Sequence, residues 1–140
     1  TEGSALIIDN EDAGTRAMAG CALMVPDFAY TVATGVELAG TEEDTSKNSP
    51  NPPSLSPAWG STDLWVIGIA AGDDGETFTT DPTNYSDNSV SVVEDDGTDV
   101  SVSLYMSWRT NTSTSENPGA ATLSGNESHY SATIGIRGDF

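Results

Sequence analysis

Lysine occurs once in 140 residues, at Lys47, and arginine three times, at Arg16, Arg109 and Arg137. Against these four cations stand 22 Asp and Glu, for a formal charge of -18. A chain this poor in basic residues has no footprint with which to displace counterions from a polynucleotide, so nucleic acid is excluded as a partner. An anionic membrane surface is disfavoured for the same reason. Histidine and cysteine are as scarce, with one His129 and one Cys21. A single cysteine forms no internal disulfide, and one Cys with one His does not make a zinc site of the usual kind. Any triad of the serine or cysteine type would have to use His129 as its base. No apolar run approaches the roughly 20 residues that a spanning helix needs.

What fills the chain instead is Ser, Thr, Gly and acid. The hydrophobic fraction is 36%, enough for a core built largely from Val, Ile, Ala and Leu. Repulsion among so many like charges works against a compact state in dilute buffer. At molar salt the Debye length falls to about 3 Å and that repulsion is screened. The composition points to a saline, halophilic setting; an ordinary acidic surface protein is the plainer reading.

Strand periodicity dominates. Val100, Val102, Leu104, Met106 and Trp108 alternate with Ser101, Ser103, Tyr105, Ser107 and Arg109, which reads as a half-buried strand with its polar side toward water. Tyr130, Ala132, Ile134 and Ile136 alternate in the same way with His129, Ser131, Thr133 and Arg137. Residues 64–70, Leu-Trp-Val-Ile-Gly-Ile-Ala, are apolar throughout and read as a central strand buried on both faces. Weaker strands are expected at 4–8, 16–25, 28–31 and 89–93, with short pieces near Phe78 and Ala121. Asp73-Asp74-Gly75 and Asp95-Asp96-Gly97 are hairpin signals; Asn117-Pro118-Gly119 and Ser124-Gly125-Asn126 mark two more reversals. Residues 42–57, with Asn51-Pro52-Pro53 and Pro57, read as one long, extended, Pro-rich loop. Together these features predict one all-β domain over residues 1–140, an antiparallel β-sandwich or jelly roll of about eight to nine strands.

The run Asn51-Pro52-Pro53-Ser54-Leu55-Ser56-Pro57-Ala58-Trp59-Gly60, leading into Leu64-Trp65-Val66-Ile67-Gly68-Ile69, is followed by Asp81-Pro82-Thr83-Asn84-Tyr85. Then come Ser115-Glu116-Asn117-Pro118-Gly119 and Ala132-Thr133-Ile134-Gly135-Ile136. In that order the pieces resemble uncharacterised virion-associated β-sandwich proteins of tailed phages, archaeal tailed viruses and prophages, which carry a Pro-Ser-Leu-Ser-Pro-x-Trp-Gly signature. The resemblance covers about residues 50–137. It implies a non-enzymatic structural or attachment protein (a fibre, turret, tail or capsid-decoration component) located on the virion or outside the cell. The partners it implies are other copies of the chain and other virion proteins. Such proteins have further strands before the stretch matching Thr1, so an N-terminal portion is expected to precede this sequence, its edge filled by a neighbouring subunit.

Candidate sites follow from side-chain chemistry. Asp73 and Asp74 on one hairpin tip and Asp95 and Asp96 on another could offer oxygen ligands to Ca²⁺ or Mg²⁺; solvated turns are the plainer reading. Asp9-Asn10-Glu11-Asp12-Ala13-Gly14 fails the calcium-loop pattern at Ala13. Tyr85, in a turn, and Tyr105, on the polar side of its strand, are the candidate contacts for a host surface glycan. They support an alternative reading as an extracellular carbohydrate-binding, adhesin or pilin-like module. Asn84, Asn111 and Asn126 head N-glycosylation acceptor patterns. Arg137-Gly138-Asp139 matches an integrin tripeptide that short acidic sequences produce by chance. No carboxylate pair is marked out for catalysis, and no cofactor is called for beyond the candidate cation.

Overall fold

The computed structural model describes residue 23 and residues 32–72, 76–85, 89–95 and 101–138. Among these the chain is all-β with antiparallel sheets. One helical turn, α1 (Val32–Gly35), precedes seven strands: β1 (Val36–Lys47), β2 (Thr62–Gly72), β3 (Phe78–Thr80), β4 (Ser89–Asp95), β5 (Ser101–Ser113), β6 (Thr122–Leu123) and β7 (Glu127–Ile136). Five form one sheet in the order β1-β7-β2-β5-β4, and β3 with β6 makes a two-stranded ribbon. The strands expected at 4–8 and 28–31, and that at 16–25 apart from Leu23, lie outside the described residues.

β2 occupies the centre, as its unbroken apolar run requires. It pairs with β5 (Val66 opposite Trp108) and with β7 (Val66 opposite Ile134). Both of its faces are covered: Leu64, Trp65, Val66, Ile67 and Ile69 are all buried. One face carries the main core, in which Trp65, Ile67, Ile69 and Tyr105 meet Leu55, Tyr85 and Ala121 from loops, with Ala39 and Phe78 at the margin.

Those loops are the second layer. Residues 48–61 cross this face with Pro50, Pro52 and Pro57 buried. They pair main chain to main chain with the segment before β7: Leu55 exchanges bonds with Glu116, Ala121 N–H donates to Pro50, and Leu123 N–H donates to Asn48. Proline lacks an N–H, so it can be buried in a loop without orphaning a donor. The expected loop at 42–57 therefore begins late. Residues 42–47 belong to β1, because β7 supplies the partner that propensity alone did not suggest.

Alternation located β5 and β7 correctly and their wet side wrongly. Ser101, Ser103, Tyr105 and Ser107 are buried, while Val102, Leu104, Met106 and Trp108 are only half-buried. The serines are inside because they serve the covering loops: Ser107 Oγ donates to the Tyr85 carbonyl at 2.5 Å and Ser103 Oγ to that of Glu76. Thr133 of β7 likewise donates to Pro53 at 2.6 Å. A short hydroxyl satisfies a loop carbonyl that a valine would leave unpaired.

The hairpin expectation holds for β4 and β5, which are neighbours in register from Ser89 opposite Ser107 to Asp95 opposite Ser101. It fails for the first Asp-Gly signal, because β2 pairs with β5 and β7 rather than with β3. Gly135 shows how tightly the layers meet: a Cβ there would fall 3.0 Å from Pro57 Cγ and 3.4 Å from Trp65 Cζ3.

Candidate functional site

Among the described residues, three segments bring a cation, a carboxylate and a phenol together under the loop layer. Arg109, near the end of β5, directs Nη2 to both carboxylate oxygens of Glu116, at 2.8 and 2.6 Å. Glu116 is 3% exposed and held by its main-chain pairing with Leu55. The guanidinium lies over the Tyr85 ring, 5.2 Å from its centroid, a cation–π arrangement. Tyr85 closes the 82–85 turn with its N–H on the Pro82 carbonyl, and Asn84 adopts φ 67° there, a left-handed value that asparagine tolerates. Tyr85 Oη lies near both Glu116 and Arg109, yet neither it nor Arg109 Nε makes a well-formed hydrogen bond.

The candidate glycan contacts are therefore corrected. Tyr85 and Tyr105 are each 1% exposed. Tyr85 is drawn in by the Arg109–Glu116 pair, and Tyr105 packs against Phe78 with ring centroids 5.1 Å apart. A sugar platform needs rings that face water, and of the described tyrosines only Tyr130 does so.

Burial raises both phenols above the ordinary tyrosine value, first by desolvation. The Glu116 charge adds to this at Tyr85, and a hydrogen bond involving Asp81 adds to it at Tyr105. Below about pH 10 the phenol is neutral folded or unfolded. Above that the unfolded chain ionises first, so stability falls as pH rises toward the folded-state values. The expected result is cooperative alkaline unfolding, with Tyr85 and Tyr105 gaining tyrosinate absorbance only as the fold is lost. Tyr85→Phe, which removes one such group and an unpartnered hydroxyl, raises the unfolding midpoint. A folded chain that ionises all four tyrosines normally contradicts this.

The remaining candidates lie outside this cluster or outside the described residues. Asp73, Asp74 and Asp96 lie outside the described residues, and so does the side chain of Asp95, whose backbone ends β4. Among the described residues no group of three or more His, Cys, Asp or Glu could hold a metal. Asn84, Asn111 and Asn126 are all exposed and stand on separate segments. His129 is buried with Nδ1 3.0 Å from the Glu127 carbonyl. Of Arg137-Gly138-Asp139, Gly138 is buried, Arg137 N–H donates to Gly35, and Asp139 lies outside the described residues.

Sequence reasoning missed two features. The Arg109–Glu116 pair could have been suspected because a chain with four cations has few to spare. The other is the pair Leu38 of β1 and Tyr130 of the adjoining β7, 54% and 45% exposed, the exposed large hydrophobics among the described residues. Val36-Glu37-Leu38-Ala39 carried the alternation that would have found it, ahead of the acidic residues that masked it.

No helix among the described residues is long and apolar enough to cross a membrane. Comparison with protein-family models, with curated proteins and with solved structures gives no match.

Proposed function

We propose that this chain is a non-enzymatic structural or attachment component of a virion of the tailed-virus type, adapted to a saline setting and working by assembly. The observation that carries the reading is the placement of the exposed hydrophobics. Leu38 of β1 and Tyr130 of the adjoining β7 stand exposed on one face of neighbouring strands, while the polar cluster of Arg109 with Glu116 and Tyr85 is spent on packing. Exposed apolar groups gathered at one place mark interaction surfaces. The face bearing Val102, Leu104, Met106 and Trp108, only half-buried, adds area of the same kind. In this reading the sheet and its loop layer belong to a sandwich or jelly roll of eight to nine strands. The acidic exterior keeps the assembly hydrated in salt.

The test is stoichiometry. A virion component is present in purified particles at a fixed copy number relative to the major capsid protein, through repeated banding. Loss of the chain on rebanding, with particles otherwise intact, overturns the reading.

A further inference from the structure

Tyr130, the water-facing tyrosine among the described residues, is held in one pose. In the register of β7 with β1 it stands opposite Glu42. Its ring nevertheless reaches diagonally, so that Cζ and Oη occupy the place where a Cβ at residue 40 would stand. Diagonal neighbours on paired strands are within reach of an aromatic side chain. Gly40 is what leaves the place empty, and the ring lies across the backbone of β1 there. A ring fixed in advance spares a ligand the cost of ordering it.

Beside this ring is a cavity of about 190 Å³, lined by Glu42, Glu43, Ala70, Ser128, His129 and Tyr130. Pockets for drug-sized ligands run to roughly 300–1,000 Å³, so the occupant here is a single small ring. The lining is amphipathic. Tyr130 supplies a flat π face and Ala70 a short apolar wall. Glu42 and Glu43 accept hydrogen bonds, and the Ser128 hydroxyl is of a kind that donates and accepts. His129 is 7% exposed, with Nδ1 3.0 Å from the Glu127 carbonyl. A carbonyl only accepts, so Nδ1 carries the proton and the neutral ring keeps Nε2 as an acceptor.

Charge narrows the ligand from both sides. Glu42 and the formal charge of -18 repel an anion. A cation meets Lys47, whose Nζ lies 2.5 Å from Glu43 Oε2 in the lining. A neutral molecule with an apolar face and a rim of hydroxyls satisfies both limits, and a pyranose has that anatomy. The C–H bonds of one sugar face pack on the negative face of an aromatic ring. Its hydroxyls donate to carboxylates in charge-assisted hydrogen bonds. We propose that this cavity between β1 and β7, with Tyr130 as its platform, binds one neutral sugar residue. The inference rests on the attachment side of the reading above and names its receptor chemistry.

The experiment titrates the whole chain with the methyl glycosides of glucose, galactose, mannose and N-acetylglucosamine. Methyl glucuronide is the acidic control and tetramethylammonium the cationic one. Amide chemical shifts read both binding and its place. At least one neutral glycoside binds, moves the amides of residues 42–43 and 128–130, and does so equally in dilute buffer and in molar salt. Tyr130→Ala, a change at an exposed position, weakens binding at least about tenfold, and Tyr130→Phe retains it. Gly40→Ala also weakens it with the unfolding midpoint little changed, because the displaced atoms are the far end of a flexible side chain. No binding by any neutral glycoside, shifts elsewhere on the chain, or binding that survives Tyr130→Ala overturns the proposal. So does tighter binding of tetramethylammonium, which would make the cavity a cation site. A chain lost from particles on rebanding that still binds a glycoside here would sink the virion reading and leave the site standing.

Discussion

Arg109→Met lowers the stability of the fold toward the lower end of about 3–5 kcal/mol, the range for stripping one partner from a buried ion pair. The reason is what it leaves behind. Glu116 is 3% exposed, and its backbone both donates to and accepts from Leu55, at 2.9 and 3.0 Å. The carboxylate cannot swing into water without unzipping the bridge between the two loops. Arg109 is itself partly accessible, with 23% side-chain exposure, which places the loss at the low end. The change also removes the cation over the Tyr85 ring. Glu116→Gln keeps an acceptor for Nη2 and costs only about 1–1.5 kcal/mol. The double variant Arg109→Met/Glu116→Leu recovers much of the loss, because no buried charge remains. Urea unfolding of the four proteins in one buffer checks this. A single variant that shifts stability by less than about 0.5 kcal/mol, as a surface change would, contradicts it.

Trp65→Ala costs about 3–5 kcal/mol, by lost transfer energy and by the cavity it opens. Trp65 is 0% exposed. Its ring abuts the backbone of Gly135, against which Pro57 also packs, and its Nε1 donates to the Asn111 carbonyl at 3.0 Å. One side chain thus ties together the central strand, β7, the Pro-rich loop and the end of β5. For a domain whose total stability is on the order of 5–15 kcal/mol, that loss leaves little margin in dilute buffer, where charge repulsion is greatest. Trp65→Phe retains most of the apolar volume and loses roughly half as much. Near-ultraviolet circular dichroism with urea titration measures both. Equal, small losses for the two variants would show that the layers are not joined through this ring.

β2 was legible because seven consecutive apolar residues have no soluble solution other than burial on both faces. β5 and β7 were legible as strands, since a period of two survives any environment. Their buried side was not. Which face packs depends on what covers it, and here the cover is loop backbone, whose carbonyls favour Ser107 and Thr133 over valine. β1 escaped notice because Glu, Asp, Gly and Ala have weak strand preference; its extended form follows from pairing with β7, a partner about 90 residues on along the chain. The cluster of Tyr85, Arg109 and Glu116 joins residues from a turn, a strand and a loop, and no local pattern announces such a meeting. Tyr85 and Tyr105 looked accessible for the same reason. A tyrosine on a serine-rich face reads as wet until that face is known to be the inner one.

The measurement that bears most directly on assembly is the mass distribution of the purified chain by light scattering, in dilute buffer and in molar salt. With -18 of formal charge and a Debye length that falls from about 10 Å at 0.1 M to about 3 Å at 1 M, the account predicts a monomer in dilute buffer. In molar salt it predicts one discrete oligomer. A folded monomer under both conditions contradicts it.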